Sequence, residues 1–253
     1  MTLVRAFDSE RIKYRRTFTH WLVALGPVGL VLSYAMVGLL GESETTWPLF
    51  LGVVYNWWPI LWVPMGAALL AALAAWYEKR AGAWVLLRAR PQPPAVLFGA
   101  KLLVLALHTL LSTAILAATV AVVGAVVIGA PIPLDTLLLG AFLPWIAALP
   151  ILVIQLWVAT AGGFGASVVV GVVGFISGAL TAESSDLVHF VPWAWPIRVV
   201  IPIIGIHANG VPLGSGDPLW DSSIVPVILG LALIVAAALL AAGSLWFSRK
   251  EVR

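Results

Sequence analysis

Long apolar stretches separated by short polar segments dominate the chain. A helix needs about 20 apolar residues to cross the hydrocarbon core of a bilayer, where no backbone polar group can stay unpaired. The fourth and fifth stretches come from one uncharged run that is too long for a single helix, and Gly162-Gly163 marks the predicted cytoplasmic turn between them. We therefore predict an all-α membrane protein with six transmembrane helices: Trp21–Leu40, Phe50–Tyr77, Leu102–Ile128, Leu137–Ala161, Phe164–Ala182 and Ile224–Phe247.

The basic residues predict the orientation of these helices. Of the 14 Lys and Arg residues, 13 lie before the first span, between the second and third, or after the last, and Arg198 is the exception. Segments 41–49 and 129–136 contain acidic residues and no basic ones. Because short loops rich in Lys and Arg stay in the cytoplasm, we expect both termini there. Residues 1–253 then form a single transmembrane domain in a bacterial cytoplasmic membrane.

The stretch Leu187–Ile206 competes as a seventh span, although it contains Arg198 and three prolines. A seventh crossing would place the basic C-terminal tail outside and the acidic Asp217–Asp221 stretch inside, against the bias of the other segments. We interpret 183–223 instead as an extracytoplasmic segment of re-entrant helices before the last span. Such backbone is tolerated at membrane depth where protein or water satisfies it.

Composition agrees with a lipid-exposed protein. The chain is 62% hydrophobic and 10% charged, with a mean hydropathy of +1.05, whereas a soluble domain is about half apolar and a quarter charged. The net charge of +3 comes from clusters beside spans, so we expect no nucleic-acid partner. Cysteine is absent, and the phosphate-binding, zinc-protease and serine-hydrolase motifs are missing. We predict a chain with no catalytic or metal site that is not a soluble enzyme.

Residues 1–20 are predicted to form an interfacial helix. Leu3, Phe7, Tyr14 and Phe18 fall within a narrow sector of the helical wheel, while most basic residues lie elsewhere. A basic amphipathic helix of this kind lies along the anionic headgroups of membrane lipid. The alternative is a solvated basic tail that only sets orientation.

Segment 78–101 is predicted to be a cytoplasmic coupling loop. A loop that only sets orientation needs no tryptophan or leucine, yet this one has an apolar middle, Ala81–Leu87, between basic ends. A short helix with aromatic and arginine anchors suits the groove of a cytoplasmic partner. The alternative is a helix that lies in the membrane interface. The proposed contact residues are Glu78, Lys79, Arg80, Trp84, Leu86, Leu87, Arg88 and Arg90.

A second group of residues is a candidate substrate path. Tryptophan faces suit cationic or amphipathic ligands, and several tryptophans are expected near the outer ends of spans. An aromatic belt at the membrane interface explains most of them equally well. The candidate path consists of Asn56, Trp57, Trp58 and Trp62 in the second span, with Gln155 and Trp157 in the fourth.

The order of these features resembles a known family. Residues Ser9–Phe18 run directly into Trp21–Pro27, and the Glu78 loop ends in Pro93-Pro94 and Lys101. Together with the Pro192–Arg198 stretch, they resemble the permease subunits of ABC-2 type exporters, most closely the lantibiotic-immunity permeases.

The resemblance implies an interfacial N-terminal helix, a coupling helix between spans two and three, and re-entrant helices before span six. It also implies a second permease copy or a paralogous permease, and a separate ABC ATPase that binds ATP and Mg²⁺. The implied substrate is an amphipathic lantibiotic peptide that is expelled from the membrane. The alternatives are an ABC-2 permease for a drug or lipid, a different type of membrane transporter, an intramembrane enzyme and a scaffold.

Overall fold

The computed structural model describes residues 2–15, 17–40, 45–80 and 93–249, and helices make up most of these ranges. A π-helical turn, Trp58–Trp62, joins two α-helices without a break, and short 3-10 turns flank the eighth α-helix. Within the described ranges the one β-type contact is an isolated bridge between Ile206 and Pro212. The α-helices, numbered in chain order, are α1 Leu3–Lys13, α2 Phe18–Leu40, α3 Trp47–Trp57, α4 Val63–Arg80, α5 Pro94–Ile128, α6 Leu134–Ala147, α7 Leu149–Thr181, α8 Trp195–Ile204 and α9 Ile224–Arg249.

The predicted all-helical membrane fold is confirmed. Among the described residues, 5 helical stretches are long and apolar enough to cross a membrane, one fewer than the six that we predicted. The predicted fourth helix is interrupted at Ala148, so the region of the fourth and fifth spans contains the shorter α6 and one long stretch, Leu149–Thr181. The helices around the predicted coupling loop are longer than we expected, because α4 continues to Arg80 and α5 already begins at Pro94. The five stretches are Phe18–Met36, Trp47–Arg80, Ala95–Ile128, Leu149–Thr181 and Ile224–Arg249.

Helix α7 folds back on itself at Gly163. This residue has φ 79° and ψ −166°, a conformation outside any helix. The Gln155 side-chain amide contacts Ser167 Oγ at 2.9 Å, whereas residues 12 apart in a straight helix lie about 18 Å from each other. With its NH2 group directed at Ser167, the same amide accepts a hydrogen bond from Gly171 N at 3.2 Å. The two arms of α7 therefore run side by side in opposite directions.

Helix α4 packs closely against both arms of this hairpin. Its core face consists largely of alanines, including the fully buried Ala68 and Ala71, so the backbones can approach closely. Ser167 Oγ donates to Ala68 O at 2.9 Å, and a Cβ built on Gly171 would lie 2.5 Å from the Cβ of Ala68. Small residues at helix crossings allow this kind of packing inside a membrane.

The two ends of the bundle differ in charge. At one end, which we name the basic end, α1 meets the C-terminus of α4 and the N-terminus of α5. The ring of Phe98 lies there 5.9 Å from that of Phe247 in α9. The opposite, acidic end contains segments 129–133 and 183–223, and Trp47 Nε1 donates there to Ala130 O at 3.1 Å. The described basic residues other than Arg198 thus share one end, as the sequence predicts.

Candidate functional site

Four charged side chains, three of them buried and Lys13 half-buried, form a cluster at the basic end. Lys13 of α1 lies 2.6 Å from Glu10 Oε1 and 2.8 Å from Glu78 Oε1. Lys101 of α5 pairs with Glu78 and lies 3.2 Å from Glu10 Oε2. Each ammonium group therefore contacts both carboxylates. We name Glu10, Lys13, Glu78 and Lys101 the charge cluster.

The charge cluster is nearly closed to solvent. Glu10, Glu78 and Lys101 are 2%, 5% and 4% exposed, and ions removed from water in this way need close counter-charges. Burial alone would lower the pKa of Lys13, but the carboxylates of Glu78 and Glu10 outweigh it and raise the pKa above its ordinary value. Two ammonium groups and two carboxylates make the cluster neutral overall.

The cluster joins the helices on either side of the predicted coupling loop. Glu78 lies in the last turn of α4, Lys101 lies two turns into α5, and Glu10 and Lys13 belong to α1. Tyr14 extends the contact, because its buried ring lies 4.9 Å from the ring of His108 in α5. Burial raises the pKa of the Tyr14 phenol, so its hydroxyl stays protonated. α1, α4 and α5 are thereby held as one unit at the base of the loop.

The proposed contact residues fall into two groups in the structure. Glu78 faces the protein interior and is inaccessible to a partner from outside, whereas Lys79 and Arg80 are exposed. The Arg80 guanidinium lies 5.1 Å from the centre of the Trp76 ring. Trp84, Leu86, Leu87, Arg88 and Arg90 lie outside the described residues.

The sequence analysis did not predict three of the cluster residues as site residues: Glu10, Lys13 and Lys101. The sequence does contain a signal for two of them. Glu10 is an acid within a basic segment, and Lys101 is a charge within the apolar run of α5. A charge in an apolar helix needs a partner, and Glu10 and Glu78 supply it for Lys101.

The candidate substrate-path residues do not form one surface. Asn56 Nδ2 donates to His207 O at 2.9 Å, and Trp57 is 50% exposed on the outside of the bundle. Gln155 holds the hairpin of α7 together. The ring of Trp157 lies 5.8 Å from that of Trp246. Of these six residues, two tryptophans line the same cavity.

Those two, Trp58 and Trp62, line a cavity in the centre of the bundle. Their rings stack with centroids 6.0 Å apart, and the π-helical turn brings both to the inner side. The cavity of about 30 Å³ also has walls from α2, α5, α6 and α7, including the hydroxyl-bearing Thr113. Trp62 lies against Gly26, where a built Cβ would be 1.8 Å from the indole ring.

Three polar side chains form a cluster at the acidic end. His207 Nδ1 lies 3.1 Å from Glu183 Oε2, and its Nε2 lies 3.3 Å from Asp217 Oδ2. Glu183 Oε1 also accepts a hydrogen bond from Ala208 N at 2.6 Å. These contacts fasten the segment after α8 to the end of α7. Among the described residues, no group of three His, Asp or Glu side chains is arranged to hold a metal ion.

A family model described as ABC-2 family transporter protein matches residues 6–178, well over half of the chain. No curated protein and no solved structure matches the chain significantly. The matched region contains most of α1, all of α2 to α6, the charge cluster and most of the α7 hairpin. Members of this family are membrane subunits of transporters that in general work with an ABC ATPase. The chain is thus a multi-pass membrane protein of the ABC-2 transporter family.

Proposed function

We propose that the chain is the permease subunit of an ATP-driven exporter of an amphipathic molecule. The observation that supports this most directly is the charge cluster, which ties α1, α4 and α5 together where the predicted coupling loop begins and ends. A partner that moves the loop would move three helices at once. A coupling element requires such a firm connection between the loop and the membrane helices.

In the proposed mechanism, ATP hydrolysis and substrate transport take place on different subunits. A separate ATPase binds ATP and Mg²⁺ and contacts the loop through Trp84, Leu86, Leu87, Arg88 and Arg90. Lys79 and Arg80 extend the contact along the end of α4, where both are exposed. Glu78 is a positioning residue, because it is buried and acts through Lys13 and Lys101.

We also propose six crossings, with both termini in the cytoplasm. The hairpin at Gly163 divides α7 into two arms, and the first arm continues α6, so α6 and α7 together supply two crossings. Segment 183–223 then remains on the outer side as a re-entrant segment. A second permease, identical or paralogous, completes the transporter.

Two classes of amphipathic substrate fit the proposed permease. The resemblance of the N-terminal segment and the Glu78 loop points to a lantibiotic peptide and to a role in immunity. A lipid or drug is the second candidate, and one observation favours a lipid: an apolar groove of about 430 Å³ beside α1. Both candidates are amphipathic.

The Trp84→Ala variant tests the proposal. A tryptophan buried in a groove of the partner contributes ~2 kcal/mol, which corresponds to about 30-fold in affinity. We therefore expect the affinity of the ATPase for Trp84→Ala to fall by about that factor, and its co-purification with the variant to fall accordingly. Trp21→Ala is the matched control, since Trp21 is exposed near the same end but belongs to α2 and is not among the proposed contact residues. Equal co-purification of wild type and Trp84→Ala would contradict the proposed docking role.

A further inference from the structure

A short hairpin at the acidic end, residues 206–212, packs against α3. Its first residue, Ile206, fits a notch in that helix, because Gly52 leaves no room for a Cβ beside the Ile206 side chain. One helical turn further along α3, Asn56 Nδ2 donates to His207 O at 2.9 Å. Helix α3 then continues directly into the π-helical turn whose tryptophans line the central cavity. The hairpin is thus attached to α3 at two adjacent points.

The His207 ring of this hairpin is held between two carboxylates. Its Nδ1 lies 3.1 Å from Glu183 Oε2 at the end of α7, and its Nε2 lies 3.3 Å from Asp217 Oδ2 in the segment after α8. A neutral imidazole has one N–H and one lone pair, so it can donate to only one of these carboxylates. The imidazolium form donates to both. The observed contacts therefore fit the protonated ring.

The two carboxylates differ in how firmly they hold the hairpin. Glu183 Oε1 also accepts a hydrogen bond from Ala208 N at 2.6 Å, so Glu183 contacts the hairpin twice. Asp217 contacts it through His207 alone, and its other oxygen accepts a hydrogen bond from Leu219 N at 2.8 Å. The side chains of His207 and Asp217 are each 22% exposed, so protons from water can reach both. Asp217 is the contact that a neutral ring gives up.

A cation near these carboxylates lacks a partner of its own. Arg198 of α8 is half-buried, and its Nη1 is buried without a hydrogen-bond partner among the described residues. The guanidinium is attracted electrostatically by Asp221, Glu183 and Asp217. In the part of the chain that the structure describes, it forms no ion pair with any of them. A carboxylate released by His207 therefore has a second cation to pair with.

We infer that His207 is a pH-dependent latch at the acidic end of the bundle. As the imidazolium, it joins Glu183 to Asp217 and fastens the segment after α8 to the hairpin that sits on α3. When the ring loses its proton, it keeps Glu183, while Asp217 moves to Arg198. The hairpin is then held by one contact fewer, and its hold on α3 and on the π-helical turn weakens. The latch acts within this chain and requires neither an ATPase nor a substrate.

The lack of cysteine in the chain allows a nitroxide label at a single site. Ser215→Cys places the label on an exposed residue two positions before Asp217, in the full chain in phosphatidylglycerol nanodiscs. An ordinary imidazole changes from mostly protonated to mostly neutral over about pH 5–8. We therefore expect the electron paramagnetic resonance spectrum to be immobile at the acid end of this range, and its mobile fraction to rise severalfold towards the alkaline end.

Four variants assign this transition to the latch. His207→Gln should abolish it, because the titrating ring is gone. Asp217→Asn should abolish it as well, and it serves if His207→Gln does not fold. Arg198→Gln should reduce it, because the released carboxylate loses its second partner. His189→Gln is the matched control and should keep it, since His189 belongs to the same segment and, within the described residues, forms no ion pair.

Several results would overturn the latch. A mobile fraction that stays constant over about pH 5–8, or that falls as the pH rises, contradicts the protonated ring as the closed form. A transition that survives in His207→Gln or disappears in His189→Gln assigns the titration to another group. An unchanged transition in Arg198→Gln contradicts the exchange of partners. No ATPase is needed, so failure here is distinct from failure of the coupling proposal.

Discussion

Gly163 shows how one residue determines a reversal of the chain. At φ 79° and ψ −166° it occupies a region open essentially to glycine alone. We expect Gly163→Ala to lower the free energy of unfolding by about 1–3 kcal/mol, the usual cost of such strain. Gly165→Ala is the control, since a Cβ there meets no atom within 4 Å and alanine favours a helix by about 1 kcal/mol. Thermal unfolding in detergent compares them, and equal midpoints would contradict the hairpin.

Glu78 carries the second prediction at this scale. Glu78→Gln leaves three charges in a buried site that holds four, so the cluster gains a net positive charge. We expect destabilisation by about 3–5 kcal/mol. Asp8→Asn, which removes an exposed pair with Arg11, should cost less than about 1 kcal/mol.

The double variant Lys13→Gln with Glu78→Gln tests whether charge balance stabilises the cluster. It restores neutrality, because Glu10 still faces Lys101 at 3.2 Å. Its unfolding temperature should therefore exceed that of Glu78→Gln alone. A double variant less stable than the single one would show that charge balance is not what the cluster supplies.

At the scale of elements, the docking of α1 should depend on pH in one direction. The pKa of Lys13 is raised above the ordinary 10.5 in the folded protein. A raised pKa means that the stabilisation is fully present below the ordinary value and is lost as the pH rises through the folded one. A spin label at Ser9→Cys should thus stay immobile at neutral pH and become mobile only in strongly alkaline solution. Adding Lys13→Met should abolish that transition, and a transition near neutral pH would contradict the assignment.

Helices were predictable here, whereas several contacts between them were not. The apolar runs and Gly162-Gly163 indicate the spans and the hairpin because both signals are local in sequence. The charge cluster joins Lys13 to Glu78 and Lys101 to Glu10, residues 65 and 91 positions apart, and no periodicity links such pairs. The π-helical turn had no sequence signal, so the opposite directions of Trp57 and Trp58 were missed.

At the scale of the whole molecule, the proposed topology predicts where reporters will lie. Fusions after Arg253 and within Gly82–Pro94 should report cytoplasm, because both segments adjoin clusters of Lys and Arg in the sequence. Fusions at Ser43 and Ser215 should report the outside. An outside signal after Arg253, or a cytoplasmic one at Ser215, would contradict six crossings.

The length of α5 has a consequence for the surrounding bilayer. Its 35 residues extend over about 52 Å, while the hydrocarbon core is about 30 Å thick. The stretch from α3 to α4 has 34 residues and a similar excess. Such mismatch is relieved by tilt, by local thickening of the bilayer or by projection of the helix ends. Acyl-chain length should therefore set how far the base of the predicted coupling loop stands above the membrane, and with it the rate of the proposed ATP-driven transport.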